Sequence, residues 1–202
     1  VAPLEMLLQR IQDGSARIGV VGLGYVGLPL AAEFGNRFRV VGFDGNPQRV
    51  EALNQGSSHI LDIPATRIND LVNAKKFEAT GDFKRLQECD AIVICVPTPL
   101  EKSKTPDMSY INSAAEEVAA ALRPGQLIVL ESTTYPGTTD ELLLPLFQRD
   151  GLALDADFYL AFSPERVDPG STFALRDIPK VVGGCSADST SAACELYKGV
   201  LT

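Results

Sequence analysis

Metal-binding residues are scarce in this sequence. It contains one histidine, His59, and four cysteines, none of which stands in a C-x-x-C arrangement. Metal sites in proteins need closely spaced ligands of these types, so a metal site is not expected. We interpret Cys89, Cys95, Cys185 and Cys194 as buried, reduced thiols of a cytoplasmic protein.

Clusters of basic residues and long apolar runs are also absent from the sequence. The 18 lysines and arginines are outnumbered by 26 aspartates and glutamates, which gives a formal net charge of -8. Nucleic acid and anionic membranes are therefore poor candidate partners. No segment has the length needed to cross a bilayer, and the first residues lack the basic region of a signal peptide. These features predict a soluble, cytoplasmic protein.

Apolar segments typical of strands alternate with segments typical of helices. Several strand candidates are almost entirely apolar, as expected for strands that are covered on both faces. The strand candidates begin at residues 17, 38, 76, 90, 126, 157 and 180, and the helix candidates span 28–37, 47–55, 63–73, 109–122 and 139–150, with a further helix from 187. This alternation predicts the α/β class: a Rossmann-like, doubly wound, mainly parallel sheet with helices on both faces.

Three glycines lie where the first strand candidate meets the following helix. Gly22, Gly24 and Gly27 form a G-x-G-x-x-G pattern in "VGLGYVGL". In dinucleotide-binding folds the first glycine permits a tight turn, the second lets a pyrophosphate approach the backbone, and the third lets helix and strand pack closely. The phosphates would bind the free N–H groups of the helix that begins near Val26. The alternative is an ordinary tight turn between a strand and a helix.

An acidic residue favours the dinucleotide interpretation. Asp44 ends the second strand candidate about 20 residues after the glycines, where the fingerprint places a carboxylate on the ribose hydroxyls. A carboxylate at this position repels a 2′-phosphate, so the predicted cofactor is NAD and not NADP. Arg49 follows on the next helix candidate and either covers the adenosine or is a solvated helix charge.

Three further loops follow strand candidates: "CVPTPL", "ESTTYPGTT" and "FSPERVDPG", at residues 95–100, 131–139 and 162–170. In a doubly wound sheet, the loops after the carboxyl ends of the strands face the ligand crevice. Threonine and proline are also typical of turns and helix caps, which explains each loop taken alone. The three loops together indicate a ligand site.

Four segments, in this order and spacing, resemble the NAD-binding half of the nucleotide-sugar 6-dehydrogenases. This group contains the UDP-glucose, GDP-mannose and UDP-N-acetylhexosamine dehydrogenases. The segments are "VGLGYVGLPLA", "VPTPL" followed by "PDMSYI", "ESTTYPGTT" and "SPERVDPG". The last is similar to the UDP-N-acetylglucosamine and UDP-N-acetylmannosamine branch, because the UDP-glucose branch usually has PEF followed by L-x-E-G. Here Arg166 replaces the aromatic residue, and Pro169 stands at the position of the second glutamate.

The resemblance implies oxidation of a sugar C6 alcohol to a carboxylate in two steps, with two NAD molecules used in succession. Glu165 matches the glutamate that acts as acid and base around thioester hydrolysis, and Thr133 matches a threonine that contacts NAD and the catalytic water. Without this match, Glu165 would be a surface carboxylate paired with Arg166. The glycine fingerprint and the resemblance together assign the cofactor to Gly22, Gly24, Tyr25, Val26, Gly27, Asp44, Arg49, Pro97, Thr98 and Thr133, and the resemblance assigns the sugar nucleotide to Arg166 and Val167.

Other functional parts of the family have no counterpart in these 202 residues. The resemblance implies a dimerisation helix and a C-terminal UDP-sugar-binding domain, which carries the nucleophilic cysteine, a lysine and an asparagine. We therefore divide the chain into an N-terminal helix and linker, 1–16, and an NAD-binding Rossmann domain, 17–202. The first residue is not methionine and the last segment has a helical pattern, so we expect a piece of a longer protein. This piece alone is predicted to be inactive, and the full-length protein to form a homodimer or larger homo-oligomer.

Cys185 is a tempting nucleophile in the absence of the later domain. It lies in "KVVGGCSADS", where the last strand candidate meets the last helix, so we predict a structural role for it.

Other interpretations remain open. A UDP-glucose or GDP-mannose 6-dehydrogenase would differ in substrate alone. A non-catalytic Rossmann protein that senses NAD has no obvious use for Glu165. A methyltransferase also has a glycine-rich first loop, but the loops at Thr98 and Thr133 argue against it. The β-hydroxyacid dehydrogenases share the plan of the first domain but are not expected to contain "SPERVDPG".

Overall fold

A mixed sheet lies at the centre of the protein. The computed structural model describes residues 2–100, 105–165 and 175–201. The strands are β1 (Arg17–Val21), β2 (Arg39–Phe43), β3 (Phe77–Thr80), β4 (Ala91–Ile94), β5 (Gln126–Leu130), β6 (Phe158–Phe162) and β7 (Gly183–Gly184). Their order is β3-β2-β1-β4-β5-β6-β7. β1 to β6 are parallel, and β7 is antiparallel to β6. This confirms the predicted Rossmann-like fold.

Helices cover both faces of the sheet. They are α1 (Pro3–Asp13), α2 (Gly27–Gly35), α3 (Pro47–Asn54), α4 (Ala65–Asn73), α5 (Ser109–Ala121), α6 (Leu144–Gln148) and α7 (Ala187–Lys198). Short 3₁₀ turns occur at Phe83–Glu88 and Leu175–Asp177, and a π-helical segment occurs at Thr138–Leu143.

Prolines explain two of the differences between the predicted and the observed helices. The helix predicted over 63–73 begins at Ala65, because Pro64 has an extended ψ of 139° and disfavours helical backbone at the residue before it. The helix predicted over 139–150 is divided into the π-helical segment and α6. Pro145 lies in the first turn of α6, where its missing N–H group costs least.

The apolar strand sequences place alternate side chains in two cores. In β4, Ala91 and Val93 belong to the core on one face, whereas Ile92 and Ile94 belong to the core on the other, and all four are fully buried. Side chains in a strand alternate between faces, so a strand covered on both faces needs an unbroken apolar run. This is the property from which the parallel sheet was predicted.

The N-terminal helix belongs to one of these cores. Leu7 and Ile11 of α1 are buried, and α1 packs against α7. Arg10 pairs with Asp90 at 2.7 Å, and Arg17 donates its backbone N–H to the other oxygen of Asp90 at 3.0 Å. These contacts join α1 to the amino ends of β1 and β4.

The last predicted strand is shorter than expected. It was predicted over 180–184, but β7 contains two residues. The residues before it make other contacts: the Lys180 ammonium binds the Glu131 carboxylate at 2.7 Å, and the Val181 carbonyl accepts a hydrogen bond from Ser163 at 2.8 Å.

The prediction that all four cysteines are buried is wrong for two of them. All four are free thiols, but Cys185 and Cys194 are partly exposed. Cys194 follows the buried Ala192 and Ala193 on α7, and the rotation of about 100° per residue carries it away from the core. Cys185 lies between the two-residue edge strand and α7.

Candidate functional site

The glycine turn connects β1 to α2. Gly22 has φ +91°, a conformation that side chains disfavour, and a Cβ atom there would lie 2.8 Å from the Cys95 carbonyl oxygen. A Cβ atom at Gly27 would lie 1.7 Å from the Gly22 carbonyl oxygen. A Cβ atom at Gly24 would have no protein atom within 4 Å. The first and third glycines therefore permit close backbone packing, and the second leaves open space.

Two side chains hold the turn from opposite sides. The Leu23 N–H donates to the Asp44 carboxylate at 3.0 Å, and the Leu23 carbonyl accepts from His59 Nε2 at 2.8 Å. Burial is the main cause that lowers the pKa of His59 from its usual value, so the ring is neutral at pH 7. His59 is a supporting residue that the sequence analysis considered solely as a metal ligand.

A cleft of about 740 Å³ lies at the carboxyl ends of β1, β2, β4 and β5. Its walls include these predicted site residues: Gly22, Gly24, Tyr25, Val26, Asp44, Arg49, Pro97, Thr98, Thr133 and Glu165. Gly27 lies in the first turn of α2 and contributes through its contact with Gly22. Arg166 and Val167 lie outside the described residues. The glycine turn and Glu165 thus share one cleft.

Asp44 is largely buried and already accepts three hydrogen bonds. Its Oδ2 accepts from the Leu23 N–H at 3.0 Å and from Arg49 at 2.9 Å, and its Oδ1 accepts from the Asn46 N–H at 2.9 Å. A carboxylate offers about four lone-pair sites, so Oδ1 retains room for one more donor, such as a ribose hydroxyl. A second hydroxyl would have to displace Arg49. The structure thus pairs Arg49 with Asp44 at the cleft wall.

Threonines from two loops meet the cleft, and a buried serine joins those loops. Thr98 follows β4 and Thr133 follows β5. The Ser132 hydroxyl donates to the Val96 carbonyl at 2.7 Å, which connects the two loops directly. The Thr134 and Thr138 hydroxyls are hydrogen bonded at 2.7 Å, so the start of the π-helical segment also supports the second loop.

A buried polar cluster, formed by Glu131, Glu165, Lys180 and Tyr197, lies at the end of the cleft. The Lys180 Nζ atom lies 2.7 Å from Glu131 Oε2 and 3.6 Å from Glu165 Oε2. The Tyr197 hydroxyl donates to Glu131 Oε1 at 2.5 Å. Glu131 is fully buried, and the side chains of Lys180 and Glu165 are 7% and 9% exposed.

Burial controls the protonation of this cluster. It raises the pKa of Glu131 to about 7, and the nearby charge of Glu165 adds to this effect, while Lys180 and Tyr197 oppose it. Burial, with the charge of Glu131, also raises the pKa of Tyr197 well above its usual value. The tyrosine therefore keeps its proton and remains a hydrogen-bond donor to Glu131.

Three of the four cluster residues were not predicted as site residues from the sequence: Glu131, Lys180 and Tyr197. A signal for Glu131 was available, since it is a charged residue directly after the apolar strand "QLIVL". Lys180 and Tyr197 carried no local signal, because they reach Glu131 from positions 49 and 66 residues away.

The described thiols near the site are not activated. Burial raises the pKa of Cys95 well above its usual value, and burial with the hydrogen bond to Asp140 raises that of Cys185 to about 12. Cys185 donates its S–H to Asp140 at 3.1 Å. Since the thiolate is the nucleophilic form, both side chains are inert at neutral pH. Residues 2–100, 105–165 and 175–201 contain no group of three or more potential metal ligands.

The NAD-binding domain of the UDP-glucose/GDP-mannose dehydrogenase family matches residues 16–201 of this chain. The chain belongs to this family. UDP-N-acetyl-D-glucosamine 6-dehydrogenase of Pseudomonas aeruginosa is 37% identical over 188 residues, which are 92% of this chain and 44% of that protein. UDP-N-acetyl-D-mannosamine dehydrogenase of Escherichia coli (strain K12) is 38% identical over 196 residues, and the match covers 91% of this chain and 45% of that protein.

Solved structures of the family agree with this assignment. The crystal structure of NDP-N-acetyl-D-galactosaminuronic acid dehydrogenase from Methanosarcina mazei Go1 has a TM-score of 0.88 and 38% identity, and the match covers 100% of this chain and 45% of that one. The chain thus spans less than half the length of these relatives. The named relatives act on N-acetylated sugars, as the "SPERVDPG" segment predicts.

The cofactor of this UDP-glucose/GDP-mannose dehydrogenase domain is NAD. The residues of the cleft fit it: Gly24 leaves open space in which a pyrophosphate can approach the backbone at the start of α2, and Asp44 retains an acceptor site. Among the described helices, none combines the length and apolar character that a membrane crossing requires.

We expect Gly24→Val to weaken NAD binding by more than about tenfold, because the side chain fills the space beside the helix N-terminus. The fold should persist, since a Cβ atom there meets no protein atom within 4 Å. Gly183→Val is the matched control, because Gly183 has the same open surroundings outside the cleft. Calorimetry measures affinity, and circular dichroism checks the fold. Equal NAD affinity in the two variants would contradict the phosphate-binding role of the turn.

Asp44→Asn should narrow the preference for NAD over NADP by about tenfold, because it removes the charge that repels a 2′-phosphate. Glu51→Gln on α3 is the control, since it removes one exposed charge outside the cleft. Calorimetric titrations of both dinucleotides give the ratio of dissociation constants. An unchanged ratio in Asp44→Asn would show that another group selects the cofactor.

The raised pKa of Glu131 predicts a pH-dependent stability. A carboxyl group whose pKa rises from 4.5 to about 7 on folding binds more protons in the folded state between these values. The free energy of unfolding should therefore fall by up to roughly 3 kcal/mol as the pH rises through this window. Urea unfolding at a series of pH values measures it. Glu131→Gln should lose this contribution, whereas Glu33→Gln, which breaks a partly buried pair with Arg67, should keep it. If the free energy of unfolding changed with pH in the same way in the unmodified chain and in Glu131→Gln, the prediction would be wrong.

Proposed function

We propose that this chain is the cofactor-binding part of a nucleotide-sugar 6-dehydrogenase. The full-length enzyme oxidises the C6 alcohol of UDP-N-acetylglucosamine or UDP-N-acetylmannosamine to the uronic acid in two NAD-dependent steps. The observation that carries the proposal is the shared cleft: the glycine turn and Asp44 form its cofactor part, and Glu165 lies in the same cleft. The names of the related enzymes support the reaction and the sugar class.

The site residues of this chain have two kinds of role: most bind or orient the cofactor and the water, and one transfers a proton. When bound, NAD accepts a hydride in each oxidation. The backbone around Gly24 holds the pyrophosphate, and Asp44 holds the adenosine ribose. Thr98 and Thr133 orient the nicotinamide end and the attacking water. Glu165, at the end of the cleft, takes the proton of this water during thioester hydrolysis.

The remaining roles belong to the rest of the protein. A nucleophilic cysteine must form the thioester, and neither Cys95 nor Cys185 is suited to this, because their thiols remain protonated. We propose that a C-terminal domain supplies this cysteine, together with a lysine, an asparagine and most of the UDP-sugar site. Arg166 and Val167 complete the sugar-nucleotide contacts from this side. We also propose a homodimer or larger homo-oligomer in the cytoplasm, where free thiols such as the four cysteines stay reduced.

The second candidate substrates are UDP-glucose and GDP-mannose, which the family name includes. A non-catalytic NAD sensor is less well supported. Such a protein needs the dinucleotide part of the cleft but gives no role to the buried Glu165, whose side chain is 9% exposed beside Lys180.

Glu165→Gln in the full-length enzyme should slow hydrolysis by about 100-fold while the first hydride transfer changes little, because the amide cannot take the proton of the water. A covalent sugar adduct should then accumulate. NADH absorbance with a panel of UDP-hexoses, UDP-N-acetylhexosamines and GDP-mannose follows the oxidation, and mass spectrometry detects the adduct.

Glu117→Gln is the matched control for this variant, since Glu117 is an exposed carboxylate on the same cleft wall. The 202-residue chain alone, with the same reagents, should produce no sustained NADH. An unmodified rate without an adduct in Glu165→Gln would remove Glu165 from the mechanism. If the full-length enzyme oxidises no member of the panel, the proposed function is wrong.

A further inference from the structure

Two carboxylates share one ammonium group in the buried cluster. Lys180 Nζ lies 2.7 Å from Glu131 and 3.6 Å from Glu165, and its side chain is 7% exposed. The ammonium also lies 5.4 Å from the centre of the Tyr197 ring, which is a favourable position for a cation. Glu131 is held in turn by the Tyr197 hydroxyl. Lys180 is thus held by contacts with Glu131 and with the Tyr197 ring.

This arrangement is costly as a purely structural device. Burying charged groups carries a desolvation cost, and well-packed apolar side chains of similar volume are often as stabilising or more so. Tyr197 belongs to the apolar core that also contains Val129 and Leu196, so the cluster borders on packed apolar side chains. Two members of the cluster, Glu131 and Glu165, also line the cleft, which points to a role at the cleft and not in the core.

We propose that Lys180 is a positioning residue for Glu165: anchored by Glu131 and Tyr197, its ammonium fixes the Glu165 carboxylate at the end of the cleft. This inference rests on the dehydrogenase function proposed above and deepens it. Lys180 lies before β7, Glu131 after β5 and Tyr197 on α7. Three separate parts of the chain thus contribute to the proposed support of Glu165.

The charged groups around Glu165 define how the cluster responds to pH. Lys180 and Glu131 face it from two elements, and the Cys95 thiol after β4 is electrostatically coupled to it but keeps its proton. Burial raises the pKa of Glu131 to about 7, so below this pH Glu131 is protonated and does not compete with Glu165 as a second negative charge beside Lys180. Above this pH, Glu131 ionises and competes for the same ammonium. Lys180 therefore supports Glu165 most strongly on the acid side of neutrality.

The test compares two variants of the full-length enzyme that differ at one position. Glu131→Gln retains Lys180, whereas the double variant Glu131→Gln/Lys180→Gln lacks its charge and leaves no unpaired carboxylate at residue 131. The rate of thioester hydrolysis is measured from pH 5 to pH 9. We expect the acid limb of the double variant to lie about one pH unit higher, because a carboxylate that loses a nearby cation protonates more readily. The KM values for NAD and nucleotide sugar should stay within about twofold.

Rescue and control variants separate positioning from a structural role. Glu131→Gln/Lys180→Arg retains a cation, so its acid limb should return toward that of Glu131→Gln. Glu33→Gln, which breaks the distant pair with Arg67, should leave the profile unchanged. Folded variants with identical acid limbs, with or without a cation at residue 180, would overturn the proposal.

A second measurement does not depend on activity. In the chain with ¹³C-labelled glutamate carboxyls, the NMR titration of Glu131 should move to higher pH in Lys180→Gln and to lower pH in Glu165→Gln, because Lys180 lowers the pKa of Glu131 and Glu165 raises it. Unchanged titrations in both variants would show that the groups are not coupled and would overturn the inference. If the unmodified full-length enzyme oxidised no substrate, the proposed function would be wrong. The NMR titration would still show whether Glu131, Lys180 and Glu165 are coupled.

Discussion

The contact between two backbones at Gly22 and Gly27 is the constraint on which the cofactor site depends. A Cβ atom at Gly27 would lie 1.7 Å from the Gly22 carbonyl oxygen, so no other residue fits without moving α2 away from β1. This close approach directs the N-terminus of α2 toward the cleft, and backbone N–H groups can bind an anion there without a lysine. The glycine turn therefore determines the direction of α2 and of its helix dipole.

The conformation of this glycine turn depends on two polar side chains that bind its backbone. Leu23 is held by Asp44 on its N–H group and by neutral His59 on its carbonyl group. Asp44 thus combines two tasks, since the oxygen that holds the turn also accepts from Arg49, and the other oxygen retains room for a ligand hydroxyl. The charge that we propose to select the cofactor is in this way part of the support of the proposed phosphate-binding turn.

At the opposite end of the cleft, buried side chains and not the backbone form the site. There the sheet presents Glu131 directly after a buried strand, and a charge at this depth needs partners. Lys180 and Tyr197 meet this need, and the same ammonium lies 3.6 Å from Glu165. The backbone thus shapes the proposed cofactor end, whereas buried side chains arrange the proposed catalytic end. The two ends share one cleft because the strands that lead to them are parallel and finish at the same edge of the sheet.

The amino-acid sequence by itself determined the fold class, the glycine turn, Asp44 and the motifs of the family, because each depends on residues that are close together in the chain. Apolar runs predicted strands covered on both faces, and glycine spacing predicted the turn. Tertiary structure alone decided the strand order, the short β7 and the cluster around Glu131. Its partners lie 49 and 66 residues away in the chain, and no local pattern can indicate which lysine or tyrosine folds against a buried carboxylate. Tertiary structure also decided the partial exposure of two cysteines: Cys194 lies on the side of α7 that faces away from the core, and Cys185 lies between the short β7 and α7.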